Sequence, residues 1–467
     1  MRIKAVKNKY LRAGSSYLIG NMFNTGIAFL TVPIFTRILN TNDYGIINTY
    51  ASWVGVTSLI LGLALHMAVR SAFVDFEEQI EDFMSSISLL SIFSTIISAG
   101  IIFLVIKFIE IDIQVHLVLL CILHGFSSSI ISNYSMFLMM KFKYKTRTWL
   151  LILPNLIGNL FSIFIIIFVL ESNKYLGKIV PTALTSFVIA IIIIIYTLSK
   201  SKEKCNISFW SYALKVSVPI IFHGLSLTIL SQSDRIMITA LYNASETGIY
   251  SVVYNISMIA TVIGGSLEGV WVPWFTTNLK EKRLDLINDR VVNYIEVMTF
   301  VIIGILLISP EVINIMAPKE YWIGKSIIPP FVLSSFTIFL YTLYVNVEHF
   351  YKKTRWIAMN TAIAAATNIL LNLIFIPRYG MYAAAITTLV SYILSLFMHY
   401  RYARKINSAL FDISLFIKPV ISLIISIIAY YILIENFLIR WSLLLVFVVY
   451  IYKTKRSEII KLLQIKD

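Results

Sequence analysis

The stretch YALKVSVPIIFHGLSLTILSQSDRIMITALYNASETGIY, Tyr212 to Tyr250, decides how the chain folds. A long apolar run carries an acid and a base, Asp234 and Arg235, within it. The run ends at Leu241 and restarts at Glu246-Thr247-Gly248-Ile249-Tyr250. Far upstream an apolar segment ends at Leu39, and the next restarts at Asp43-Tyr44-Gly45-Ile46. Asp43 and Glu246 stand 203 positions apart, as do Gly45 and Gly248. A second pair of motifs, Tyr144-Lys145-Thr146-Arg147-Thr148-Trp149 and Tyr351-Lys352-Lys353-Thr354-Arg355-Trp356, recurs at 207. A four-residue insertion in a loop accounts for the change. The chain is therefore expected to contain two copies of one unit: 1–206, 207–406, and an addition over 407–467.

Composition says what medium the units occupy. The 467 residues are 58% hydrophobic and 13% charged, with mean hydropathy +0.82. Soluble domains average about 25% charged residues. The apolar runs are long and continuous, unlike the alternating strands of a membrane barrel, so an all-α membrane protein is expected. The net charge of +15 is read as loop lysines at the cytoplasmic face, not as a nucleic-acid surface. Two cysteines make no disulfide framework. The basic start leads into a span too long for a cleavable signal.

Fourteen spans are expected, at about 13–38, 44–67, 84–106, 115–140, 148–170, 177–199, 212–241, 247–272, 291–309, 325–350, 356–376, 381–400, 413–434 and 437–452. With the N-terminus in the cytoplasm, Lys and Arg divide 28 inside to 8 outside, with three within spans. That asymmetry places both termini inside. Six spans per repeat is even, so the halves run parallel, related by an axis along the membrane normal. The inner segment 75–82 is unusually acidic and is read as a surface amphipathic turn. No loop is long enough for a soluble domain. Trp271-Val272-Pro273-Trp274 reads as an interfacial belt with a helix stop, and Glu348-His349 as a helix end at the interface.

Polar residues on the apolar helices are the candidate site. Asn21 and Asn24 share one arc of span one with small residues, and His66 lies on the polar stripe of span two. Lys215, His223 and Asp234 share an arc of span seven. Small residues are read as packing positions. The asparagines, histidines and Asp234 are read as facing an aqueous cavity, because buried polar groups need partners. Spans one and seven, and two and eight, would then face each other across a cleft. Asp234 fits an ion pair between helices, a cation or proton site, or part of a substrate path. Arg235 points about 100° away and would hold a neighbouring helix. Arg70 would grip a diphosphate or anchor at the interface; Arg37 lies at the outer mouth of span one, and Glu268 near the inner end of span eight. No Walker loop, nucleophile elbow, dinucleotide fingerprint or metal-ligand cluster occurs, so neither enzymatic chemistry nor a cofactor is expected.

Three stretches carry a family resemblance: VPIFTRILNTNDYGIINTYAS (32–52), SDRIMITALYNASETGIYSVVYN (233–255) and KKTRWIAMNTAIAAATNILLNLIFIPRYGMYAAAITTLVSY (352–392). The last holds Asn368-x3-Asn372 and Pro377-Arg378-Tyr379-Gly380. The chain resembles the polysaccharide-transport, Wzx-type flippase branch of the multidrug/oligosaccharidyl-lipid/polysaccharide exporter superfamily. That resemblance implies a V-shaped, two-bundle helical fold that alternates between faces. It implies transport of undecaprenyl-diphosphate-linked oligosaccharide from the inner to the outer leaflet of the bacterial cytoplasmic membrane, for O-antigen, capsule or another surface polysaccharide. It also implies a cationic cavity, coupling to H+ or Na+ in some members, and work alongside polysaccharide polymerase and chain-length proteins. Asp234-Arg235 match the family's Asp-Arg/Lys position, and Arg70 a basic residue after span two. Lipid II flippases place several arginines in span one, where this chain has none before Arg37. The alternatives are a cation-coupled drug exporter of the same superfamily and, less well supported, a polytopic polysaccharide polymerase. The latter needs a large outer loop with Arg or His, and 310–324 is short with only Lys319.

Overall fold

The computed structural model describes residues 26–27, 29–109 and 114–463, with only the backbone for 109, 222, 223 and 456–463. The described residues form helices joined by short turns, without strands. The chain divides into two compact units, meeting in sequence at Thr239 and Ala240. The unit boundary thus falls at the end of span seven, one helix later than the repeat boundary at 206.

The first unit holds α1 (Phe29–Ile38), α2 (Thr41–Leu61), α3 (Leu65–Asp75), α4 (Ile80–Ile109), α5 (Val115–Met140), α6 (Tyr144–Phe168), α7 (Leu176–Lys200) and nearly all of α8 (Ile207–Leu241). Span two is broken. Leu63 and Ala64 both take φ 48°, and α2 and α3 meet at 42°. Left-handed backbone is unfavourable for residues with a Cβ, so surrounding packing must hold this bend. Gly62 allows that packing: a Cβ there would lie 2.4 Å from Ser129 Cβ on α5. Beyond the bend, Leu65, Ala68, Val69 and Ala72 pack on Phe83, Phe137 and Phe209. In α8, Ile207–Ile221 and Gly224–Leu241 meet at 47°, beside Pro219. A proline within a helix removes one hydrogen bond and kinks it.

The acidic segment is committed to internal ties. Only Glu77–Gln79 forms a short 3-10 turn before α4. Asp82 Oδ1 accepts from the backbone N–H groups of Lys202 and Glu203 at 2.6 and 3.1 Å. Glu81 pairs with Lys141, and Asp75 accepts from the Tyr212 hydroxyl. The acids therefore fasten the α7–α8 loop, α5 and α8 at one end of the unit. Ser85 and Ser86 add bonds to the carbonyls of Lys204 and Asn206.

The second unit continues with α9 (Ala244–Lys280), α10 (Leu284–Met316), a 3-10 turn (Lys319–Ile327), α11 (Ile328–Phe350), α12 (Thr354–Ile406), α13 (Ser414–Leu433) and α14 (Phe437–Leu463). The 53 residues of α12 would make about 80 Å of helix, far beyond a bilayer core of about 30 Å. Gly380, at φ 51° and ψ −131°, folds it into two arms. Asn360 pairs with Ser395, Asn368 with Thr388, and Trp356 stacks on Tyr402, so the arms run antiparallel side by side.

Two expectations are corrected here. Pro273 does not stop a helix, since α9 runs through it to Lys280, and Trp271 is no belt residue. Trp271 is 1% exposed, packed on Phe275 and edge-on to Tyr294 at 4.9 Å. Neighbouring helices satisfy the groups a proline frees. Glu348-His349 does lie in the last turn of α11, which ends at Phe350, with His349 exposed, but Glu348 is not interfacial: it is 0% exposed.

The last two helices are fastened through Arg440, which is 1% exposed. Its guanidinium donates to the carbonyls of Leu307 and Leu433 at 3.1 and 2.9 Å and pairs with Glu311 on α10. Among the described residues ten helices are long and apolar enough to cross a membrane, or twelve with the two bent pairs taken as one span each. The expected first span lies mostly outside the described residues. This is a multi-pass helical membrane protein.

The repeat is visible in atomic detail. Asn40 Oδ1 caps α2 by accepting from Asp43 N–H at 2.7 Å, and Asn243 Oδ1 caps α9 by accepting from Glu246 N–H at 2.8 Å. The two caps are again 203 positions apart. Each capped acid then reaches the start of the sixth helix of its own half. Asp43 comes close to the Tyr175 backbone before α7, and Glu246 accepts from the Met381 N–H at 2.7 Å, where the second arm of α12 begins.

Candidate functional site

In the first unit, α2 and the end of α8 share a polar seam. Gln232, Arg235 and Thr239 recur at helical spacing on one side of α8, opposite Thr49 and Ser52 of α2. Ser52 Oγ donates to Gln232 Oε1 at 3.0 Å, and Arg235 Nη1 donates to the same oxygen at 2.9 Å. Thr49 Oγ1 lies 2.5 Å from Thr239 Oγ1 and 3.4 Å from the Arg235 carbonyl. Such bonds bridge helices where no water competes. Asp234 and Arg235 are 4% and 7% exposed. Two successive helical residues point about 100° apart, so α8 is covered on both faces at this level.

The other sequence-derived residues are spread along the fold. His66 and Arg70 lie on α3 past the bend, half-buried and exposed respectively. Lys215 is exposed on α8, two residues after Ala213, which packs in the same cluster as α3. Arg70 and Lys215 therefore project from one packed helix pair. Arg37 is exposed and donates to the Pro33 carbonyl at 2.7 Å, one turn back on its own helix. Asn21 and Asn24 lie outside the described residues, as does the side chain of His223.

Glu268 belongs to the second unit, half-buried on α9. Tyr341 stacks on His399 at 5.6 Å. His399 Nδ1 lies 3.0 and 2.9 Å from the two carboxylate oxygens of Glu348, with both side chains almost fully buried. The sequence reading missed this pair because its members sit 51 positions apart on different helices. It also left the asparagines of α12 out of the site, though the i, i+4 spacing of Asn368 and Asn372 signalled a polar stripe. Both are fully buried; Asn368 Nδ2 donates to Thr388 Oγ1 at 3.1 Å, and Asn372 Oδ1 accepts from Thr387. Each unit thus carries hydrogen-bonded polar side chains inside an apolar shell.

Comparison with known proteins gives a consistent answer. An Lsg-locus protein of Haemophilus influenzae is 20% identical over 394 residues, spanning 80% of this chain and 94% of that protein. Among solved structures, a lipid II flippase, MurJ, in an inward closed conformation matches 94% of this chain and 99% of its own, at 17% identity and TM-score 0.69. An inward-facing multidrug-resistance MATE transporter of the MOP superfamily matches 85% of this chain and 98% of its own, at 13% identity and TM-score 0.58. The helical repeat architecture derived above is thus the fold of that superfamily. The family model described as polysaccharide biosynthesis protein matches residues 10–279, more than half the length, and this chain belongs to that family.

Proposed function

We propose that this protein is a flippase for undecaprenyl-diphosphate-linked oligosaccharide, moving repeat units from the inner to the outer leaflet of the bacterial cytoplasmic membrane by alternating access. The observation that carries this reading is the whole-chain likeness to a lipid II flippase in a member of a polysaccharide biosynthesis family. The work is translocation and not bond-making. His66, Arg70 and Lys215 would draw the anionic diphosphate, and polar side chains would bond sugar hydroxyls. Asp234, buried in the first unit about 100° around α8 from the seam, would bind a proton or Na+ that drives the cycle. Arg37, Arg235 and Glu268 complete the charged groups along the proposed path. Loading from the cytoplasm requires both termini inside, as the 28-to-8 division of cations supports. Polymerase and chain-length proteins would receive the cargo.

The test is a proteoliposome assay with fluorescent lipid-linked oligosaccharide. Protein-dependent loss of outer-face protection, faster under an H+ or Na+ gradient, is the expected result. Translocation equal to empty liposomes under every gradient would sink the reading. The MATE likeness favours a second reading, a cation-coupled drug exporter. It predicts that a deletion strain becomes sensitive to cationic dyes and keeps its surface glycan.

A further inference from the structure

Where the two arms of α12 end together, a shallow open cavity of about 690 Å³ is lined in part by Trp356, Phe397, Arg401, Tyr402, Arg404 and Lys405. The hairpin creates it. Trp356 begins the first arm and stacks on Tyr402 near the end of the second, with ring centroids 4.4 Å apart. This gives an aromatic plate at the helix ends, where indole and phenol rings favour the level of lipid headgroups. Of the three cations, Arg404 is committed: it donates to the Leu410 carbonyl at 3.4 Å and lies 3.2 Å from Asp412. Arg401 and Lys405 are exposed, four positions apart on one face, with the Arg401 guanidinium 5.6 Å from the Phe397 ring. Outside the cavity, exposed Lys352, Lys353 and Arg355 keep this end of the hairpin positive. Glu348 is turned into the core against His399, so it does not offset that charge.

A second feature extends from the cavity. Ile386, Val390, Ile393 and Phe397 recur every three or four residues along the second arm. They are 56%, 49%, 44% and 53% exposed for Ile386, Ile393, Val390 and Phe397 respectively. They form an apolar stripe that leads straight to Arg401. A ligand matching both parts has acyl chains along the stripe and one negative headgroup between Arg401 and Lys405.

We propose that this cavity is a binding site for the phosphodiester headgroup of an anionic phospholipid in the leaflet at that end of the hairpin. The site is separate from cargo translocation. Basic pockets between membrane helices hold anionic headgroups in this manner. The lipid would tie the free end of the α12 hairpin to the bilayer.

Native mass spectrometry of the full chain in detergent tests the proposal, with phosphatidylglycerol and phosphatidylcholine of the same acyl chains. The wild type should retain phosphatidylglycerol with a preference of about tenfold or more. Arg401→Gln with Lys405→Gln should reduce that preference to about twofold or less. Lys352→Gln with Lys353→Gln, which alters nearby charge outside the cavity, should keep it. Equal retention of the two lipids by the wild type would overturn the proposal, as would an unchanged preference in the Arg401/Lys405 variant. Loss in the Lys352/Lys353 variant to the same degree would assign the effect to diffuse surface charge and overturn it too. Displacement of the lipid by inorganic pyrophosphate, but not by inorganic phosphate, would reassign the cavity to a diphosphate carrier. The readout is lipid retention, so a failure here is distinct from a failure of the translocation assay.

Discussion

Asp234 and Arg235 are adjacent in sequence but differ in what they can do. Arg235 shares Gln232 Oε1 with Ser52 and so ties α8 to α2. Its loss would weaken helix packing. Asp234 lies about 100° around the helix, and an acid buried at this level of a membrane helix is the stronger functional signal. Asp234→Asn keeps size and hydrogen-bonding capacity while removing the charge. It should lower surface glycan in a complementation assay at least tenfold, about 1.4 kcal/mol in the transport step, with membrane levels near wild type. Wild-type glycan in that variant would leave Asp234 a structural role alone. The Glu348–His399 pair makes a different residue-scale prediction. Removing one member of a buried pair leaves the other without its partner, and that costs about 3 kcal/mol. Glu348→Leu should lower the thermal midpoint in detergent substantially. The double variant Glu348→Leu with His399→Leu should recover more than half of that loss, because no buried group is then stranded. Additive losses would show that the pair contributes only by volume.

At the scale of elements, the hairpin of α12 depends on Gly380. A Cβ there would meet Glu246 Oε2 at 1.9 Å, and φ of 51° disfavours any side chain. Gly380→Ala should cost about 2 kcal/mol or more in unfolding free energy, read from denaturation in detergent. Gly380→Ala combined with Glu246→Ala should cost less than the sum of the single variants, since the clash disappears along with the Met381 cap. A fully additive pair would mean that the two residues do not meet. This contact also shows what the sequence could and could not tell. The 203-residue spacing of Asp43 and Glu246 was legible because the same cap chemistry recurs at the same place in each half. What each acid meets was not, because Tyr175 and Met381 are more than 130 positions away along the chain. Pro273 misled for a related reason: its local rule says stop, while packing around Trp271 carries α9 onward. Asp234 and Arg235 were legible as charges in an apolar run. The bend at Leu63 and Ala64 was not, since nothing local marks either residue as left-handed. In the site, Asn368 and Asn372 announced themselves by spacing, but Glu348 and His399 are brought together only by the tertiary packing of α11 on α12.

For the whole molecule, the decisive quantity is which way it sits in the membrane. On the fourteen-span topology, Lys and Arg fall 28 to one set of loops and 8 to the other, and the richer set is expected in the cytoplasm. The two native cysteines make this measurable without adding reporters. Cys205 is exposed in the segment between α7 and α8, a loop of the lysine-rich set. Its position is fixed by Asp82, Ser85 and Ser86, which bond the backbone around it. Cys121 is buried inside the first unit, 3.6 Å from Thr57 Oγ1, and so serves as an internal blank. A membrane-impermeant maleimide should therefore label the protein in inverted vesicles and leave it unlabelled in intact right-side-out cells. Cys205→Ser should abolish the signal, which assigns it. Labelling confined to the outer face would place the lysine-rich loops outside. Arg70 and Lys215 would then no longer meet a cargo arriving from the cytoplasm, and the proposed direction of transport would fall with the topology.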